Sequence, residues 1–208
     1  MAPVIPKSAA IRHFRDAGAF EAWLAKHHDR KTELWLKIHK KDSGLASVTY
    51  AQALDVALCW GWIDGLKKSF DDKSFLQRFT PRRPKSIWSQ VNQGHVARLT
   101  KAGRMTPHGQ KHIEAAKTDG RWAAAYAPVR SANAGSMPAD LMKAINANTR
   151  AKQTFKTLGK MNLFALRFRT DNMKTAAGRA KKIADLVAML AAGKTIVPEK
   201  GLGTKRSG

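Results

Sequence analysis

The stretch "TPRRPKS" at residues 80–86 concentrates Arg82, Arg83 and Lys85 between Pro81 and Pro84 and follows them with Ser86. Guanidinium groups offer planar forks of donors suited to phosphate or carboxylate. The two prolines restrict the approach of the chain and reduce the entropy lost on binding. Helical spacing starts at Ile87, and a helix N-terminus carries unpaired N–H groups and a partial positive charge. With Ser86 as its cap, the stretch is expected to hold an anion. An internal use of the same cations also stands, with one arginine pairing Asp64 or Asp71 and fixing a hairpin. Both hold if one arginine is structural and the other faces solvent.

"CWGWIDG" at 59–65 sets Trp60 and Trp62 about a glycine and places Asp64 in an apolar strand. A buried carboxylate is costly without a donor, and Arg82 or Arg83 is the expected one. This gives either a salt bridge inside an aromatic core or a pocket completed by Trp88 and Asn92. In the pocket reading, between the 62–80 hairpin and the 87–103 helix, Asp64 is the acid/base and Arg82 the substrate clamp of an enzyme of unknown reaction. No other catalytic residue presents itself. Cys59 falls at a helix C-terminus, which disfavours thiolate, so it reads as core. His108 and His112 share a helix face, but Gly109 stands where a zincin has glutamate and no third ligand follows. "GKT" at 193–195 lacks the Walker glycine, with Ala188 in its place. GxGxxG, GxSxG and CxxC are absent. No metal and no cofactor is expected, and binding is favoured over catalysis.

Charge points the same way. The chain of 208 residues has a net charge of +23 and a pI near 10.6. Such an excess favours polyanionic partners: DNA, RNA, or a small anionic ligand. Residues 1–100 contribute +8 and residues 101–208 contribute +15. From Lys143 to Lys182 there are eleven cations and one acid, Asp171. Lys152, Lys156, Arg167, Arg169, Arg179, Lys181 and Lys182 are the expected diffuse contacts to a phosphate backbone. Phe155, Phe164 and Phe168 fall at core spacing, so contact by those cations would be non-specific and sensitive to salt.

The elements that must position these residues follow from periodicity. Phe20, Trp23, Leu24 and His27 define a helix over 17–28 capped by Asp16. Leu34, Leu36 and Ile38 alternate as a strand. Thr49 and Gln52 form a capping box for a helix that Gly61 stops. Large apolar residues on either side of "DDK" predict a β-hairpin over 62–80. Ile87, Val91 and His95, with Trp88, set a helix face, and Thr106–Pro107 opens the next helix. Residues 127–136 read as a linker. Beyond it, helices begin at Ser136–Pro138 and at a Thr149 cap, and two more carry Leu163, Phe164 and Phe168 and then Ile183, Leu186 and Leu190. The expectation is an α+β protein: a small antiparallel sheet with packed helices over 1–126, a basic helical module over 137–193, and a mobile tail over 194–208. A single cysteine, no signal-like run at the N-terminus and no stretch near 18 apolar residues predict a cytoplasmic chain without a transmembrane segment.

"ALCWGWIDG", "RFTPRRPKSIWSQVN", "MTPHGQKHIEAAKTDGRW" and "LAAGK" together resemble the YdeI/OmpD-associated family of bacterial proteins, often labelled bacteriocin-protection proteins, over roughly Phe20 to Gly193. The resemblance implies an α+β N-terminal part and a helical C-terminal module, and an association with stress and antimicrobial-peptide resistance and with an outer-membrane porin. It implies no reaction. In "KTAAGRAKKI" the residues Arg179, Lys181, Lys182 and Ile183 fit the family's pattern, while Gly178 stands where threonine is expected.

Overall fold

In the computed structural model, which describes residue 6 and residues 10–199, the strand patterns of the N-terminal half pair into one four-stranded sheet. Its strands are β1 (Ile11–His13), β2 (Leu34–His39), β3 (Trp62–Asp71) and β4 (Ser74–Pro81), in the order β1-β2-β4-β3. The hairpin is present: β3 and β4 pair antiparallel, and β2 pairs antiparallel with β4. Asp71 holds its turn, accepting bonds from the Ser74 hydroxyl at 2.7 Å and the Lys73 amide at 2.9 Å. The three-residue β1 is too short to announce itself by alternation. It pairs parallel to β2, so the sheet is mixed rather than antiparallel throughout.

Helices α1 (Ala17–His27), α2 (Tyr50–Cys59), α3 (Gln90–Lys101) and α4 (Pro107–Thr118) complete this half. Asp16 caps α1 through the Ala19 amide, and the Thr49–Gln52 capping box of α2 forms in both directions. Phe20, Leu24, Leu36, Val56, Trp62 and Phe79 close one core, each essentially removed from water. Burial of each large apolar side chain contributes roughly 1.5–3 kcal/mol. A second cluster forms where Leu58, Cys59, Trp88, Leu99 and Ile113 meet. Cys59 is fully buried there, and burial pushes its thiol up to about 11.

One helix start differs from expectation. The N-cap of α3 is Ser89, which accepts from the Asn92 amide at 3.1 Å, and not Ser86. Residues 83–86 form a tight turn instead, closed by the Ser86 amide on the Arg83 carbonyl, with Pro84 presetting its second position. The buried face of α3 is Val96 and Leu99, whereas Ile87 and Val91 remain 43% and 40% exposed.

The chain divides into two compact units, Met1–Ala125 and Tyr126–Gly208. The second is helical: α5 (Ala139–Asn146), α6 (Thr149–Lys156), α7 (Lys160–Asp171) and α8 (Ala176–Ala191). Leu141, Ile145, Phe155, Leu166, Leu186 and Leu190 form its core. Asn148, one residue before the expected Thr149, caps α6 through the Ala151 amide. Thr175 caps α8 through the Gly178 amide at 3.1 Å. Residues 127–136, read as a linker, follow directly on the division between the units. They form two 3-10 turns, Val129–Ser131 and Ala134–Ser136, and Ala132 enters the core. Residues 194–199 of the expected mobile tail are fastened. Asn162, itself buried, bonds Val197 through both its amide group and its carbonyl, and Glu199 accepts from Asn162 and from the Gly159 amide at the start of α7. The remainder of that tail, 200–208, lies outside the described residues. Among the described residues, no helix is long and apolar enough to cross a membrane.

Gly61 is a tight junction of the N-terminal unit, and it is left-handed as well. Its φ is +73°, and a Cβ there would meet His112 Cδ2 at 2.7 Å and the His108 carbonyl at 2.8 Å. Gly61→Ala is expected to destabilise the protein by about 2–4 kcal/mol, combining left-handed strain with overpacking. Gly103→Ala, at φ +65° with open space around it, carries only the conformational part, about 1–2 kcal/mol. Urea unfolding of both variants measures the difference; equal losses would remove the steric argument.

Candidate anion-binding sites

The "TPRRPKS" stretch leaves the end of β4 and splits its two arginines between opposite environments. Arg82 is 5% exposed. Its amide donates to the Gly61 carbonyl at 2.8 Å, and its Nη2 donates to the Ile87 carbonyl at 2.8 Å. The guanidinium lies 3.7 Å from the centre of the Trp88 ring. A desolvated cation–π contact of this kind is worth about 2 kcal/mol. Arg121 supports the same loop from behind, donating from Nη1 to the Ser86 carbonyl at 2.8 Å. Arg83 and Lys85 are exposed, and Ser86 is half-buried.

Strand parity supplies the rest of the neighbourhood. Thr80 lies opposite Ile63 in the hairpin register, and Arg78 is two residues before it on the same half-exposed face. Glu33, just ahead of β2, accepts from Arg78 Nε at 2.9 Å and Nη2 at 2.8 Å. An open cleft of about 640 Å³ is lined by Thr32, Glu33, Arg78, Thr80, Arg83 and Ser86, with Ile63 and Pro81 as its apolar part. Trp88 is buried and Asn92 sits in the first turn of α3; neither lines this cleft, and neither does Lys85.

Asp64 is half-buried and accepts from the Tyr50 hydroxyl at 2.7 Å. Burial and this carboxylate both raise the phenol pKa of Tyr50. Asp64 does not line the cleft either.

Sequence patterns missed two polar clusters. Asp55 on α2 accepts from His95 Nδ1 at 2.9 Å and from Arg98 Nη2 at 2.7 Å, both on α3. Burial alone would raise the Asp55 pKa, but the bonds from Arg98 and His95 hold it below the usual carboxylate range. The signal was available, since His95 and Arg98 are one turn apart, but it was hidden by assigning His95 to an apolar face. In the second cluster the rings of His28 and His108 approach to 3.9 Å and His108 stacks on Trp60. The shared helix face of His108 and His112 gave no sign of this packing. Among the described residues no group of three or more metal-binding side chains converges.

In the helical unit the expected contacts also separate. Arg179 is committed internally: Nε and Nη2 hold Asp140 at 2.6 and 3.0 Å, and Nη1 donates to the Thr170 carbonyl at 2.9 Å. Arg167 pairs Asp171 one turn along α7. Lys152 and Lys156 on α6, Arg169 on α7, and Lys181 on α8 are exposed, and Lys182 is half-buried, with no ion pair formed by any of them among the described residues. Phe164 and Phe168 stack on each other, and Tyr126 meets Phe168 edge-on at 5.0 Å.

Comparison with known families assigns the two units differently. Residues 135–193 match the family described as Bacteriocin-protection, YdeI or OmpD-Associated, so the helical module is similar to that family. Residues 12–112 match a separate family, a domain of unknown function (DUF8412). Of the likeness expected from Phe20 to Gly193, the family match covers residues 135–193. No curated protein and no solved structure matches the chain.

His112 carries a pH prediction. Burial lowers its pKa, and the charges of Arg82, Lys111 and Arg121 lower it further. The folded protein therefore takes up its proton later than the unfolded chain does. Stability is greatest above the ordinary value of 6.5 and is lost as pH falls from there through the depressed folded value. His112→Gln is expected to flatten the decline in urea midpoint between about pH 7.5 and about pH 5.5 relative to wild type. Parallel declines in the two proteins would exclude His112 as the source.

Proposed function

We propose that the protein binds an anionic partner, a nucleic-acid backbone, through the cationic helices of its C-terminal unit, and acts by binding and not by catalysis. One observation carries the reading. Residues 126–199 hold thirteen cations and four carboxylates, and three of those carboxylates are already engaged: Asp140 by Arg179, Asp171 by Arg167 and Arg179, and Glu199 by Asn162 and Gly159. The fourth carboxylate, Asp185, lies one turn beyond Lys181 and Lys182 on α8, which leaves Lys152, Lys156 and Arg169 with no ion pair among the described residues and the two α8 lysines with one carboxylate between them. Nearly single-sign helices repel themselves, and an external polyanion relieves that repulsion. α6 and α8 pack on each other, so Lys152, Lys156, Lys181 and Lys182 belong to adjoining helices.

The compartment expected from the sequence, the cytoplasm, is where nucleic acid would be met. An association with stress or antimicrobial resistance rests on the family's name alone. The enzymatic alternative, with Asp64 as acid/base and Arg82 as clamp, draws less support. Asp64 is engaged by Tyr50, and Arg82 is turned into the fold against Trp88. Asp64→Asn would abolish turnover in that alternative and leave polyanion binding intact.

The test is fluorescence anisotropy of labelled DNA and RNA across roughly 50–200 mM salt, where six to ten phosphate contacts change affinity by about 10³–10⁵. Replacement of Lys152, Lys156, Lys181 and Lys182 by alanine is expected to reduce the log–log salt slope by up to about 3–4. Arg179→Ala is expected to lower the unfolding midpoint instead, since it unties Asp140 and the Thr170 carbonyl. Absence of binding at low salt would sink the proposal.

A further inference from the structure

We infer that the N-terminal unit holds a second, discrete site: the cleft beside the end of β4 takes a phosphate monoester, with Arg83 and the hydroxyls of Thr80, Ser86 and Thr32 on the phosphate group. The site is separate from the cationic helices and does not depend on them.

Its construction sets it apart from scattered surface charge. The turn at 83–86 is closed by its own hydrogen bond and stiffened by Pro84. Two anchors fix the chain that follows, the buried Arg82 on the Ile87 carbonyl and the half-buried Arg121 on the Ser86 carbonyl. Arg83 and Ser86 are thereby presented from opposite ends of one rigid turn. Thr80 comes from the sheet and Thr32 from the segment before β2, so donors reach the cleft from three segments. Preorganisation of this kind reduces the ordering cost of binding.

The donor set favours a tetrahedral oxyanion over a planar one. A carboxylate is served by one guanidinium fork. Three hydroxyls and a guanidinium arriving from separate segments exceed what two carboxylate oxygens accept in one plane. Arg83 forms no ion pair among the described residues, whereas Arg78 is already neutralised by Glu33. Ile63 and Pro81 supply the apolar surface that an ester's organic group requires and that inorganic phosphate does not use.

Calorimetric titration at constant ionic strength tests the assignment, with phenyl phosphate, inorganic phosphate and acetate as probes. Phenyl phosphate is expected to bind most tightly and acetate most weakly. Arg83→Ala is expected to weaken phenyl phosphate about tenfold or more, as loss of a charge-assisted contact does, and Thr80→Val to weaken it less. Lys85→Ala removes the same charge from the same turn without touching the cleft, and is expected to leave affinity unchanged. The alanine variants of Lys152, Lys156, Lys181 and Lys182 are expected to retain phenyl phosphate binding, so loss of the nucleic-acid result and loss of this one are told apart. Equal weakening by Arg83→Ala and Lys85→Ala would reduce the cleft to diffuse charge and overturn the proposal. So would phenyl phosphate and inorganic phosphate binding alike.

Discussion

At Gly61 the chain must reverse from α2 into β3 within a single left-handed residue, and three later segments are built onto that reversal. The Gly61 carbonyl receives the Arg82 amide, which brings the end of the hairpin back beside its start. The Cys59 carbonyl, two residues earlier, receives both the amide and the hydroxyl of Thr106, which fixes the beginning of α4. Gly109, one turn into α4, has no side chain, so the last carbonyls of α2 can approach its backbone. A side chain at either glycine would separate elements whose contact defines the second core cluster. The turn that carries Arg83 inherits its position from this junction, through Arg82.

Charge is distributed by the same economy of partners. Carboxylates are scarce in this chain, and most of those in the structure are spent on architecture. Asp16 caps a helix, Asp71 closes the hairpin turn, Asp55 joins α2 to α3, and Asp140 joins α5 to α8. Each of them is held below its ordinary pKa by donors around it. The cations left over are thus a remainder of folding and not a random coat. Their location is set by which carboxylates the fold has already used.

Local signals were legible in the residues alone. The Asp16 cap, the Thr49–Gln52 box, the Thr106–Pro107 start and the hairpin all depend on contacts within a few positions, and all are present. What was not legible depends on distant partners. β1 exists only because β2 lies beside it. The start of α3 moved to Ser89 because Arg82 and Arg121 hold the Ser86–Ile87 carbonyls in a loop and keep them out of a helix. His95 was assigned to an apolar face because nothing near it in sequence reveals Asp55, forty residues away. In the cleft, Arg83 and Ser86 were visible from their spacing. Thr32, Glu33 and Arg78 were not, since strand register alone brings them there.

Thr175 and Gly178 show how much slack a helix start contains. A Cβ on residue 178 would stand 2.9 Å from the Thr175 hydroxyl that caps α8. That hydroxyl ends a side chain that can turn, so the contact asks it to give by a few tenths of an ångström and no more. The Thr49 cap of α2 tolerates the full side chain of Gln52 at the same third helical position. The glycine therefore tunes how closely the cap seats, while the place where α8 begins is left to Thr175.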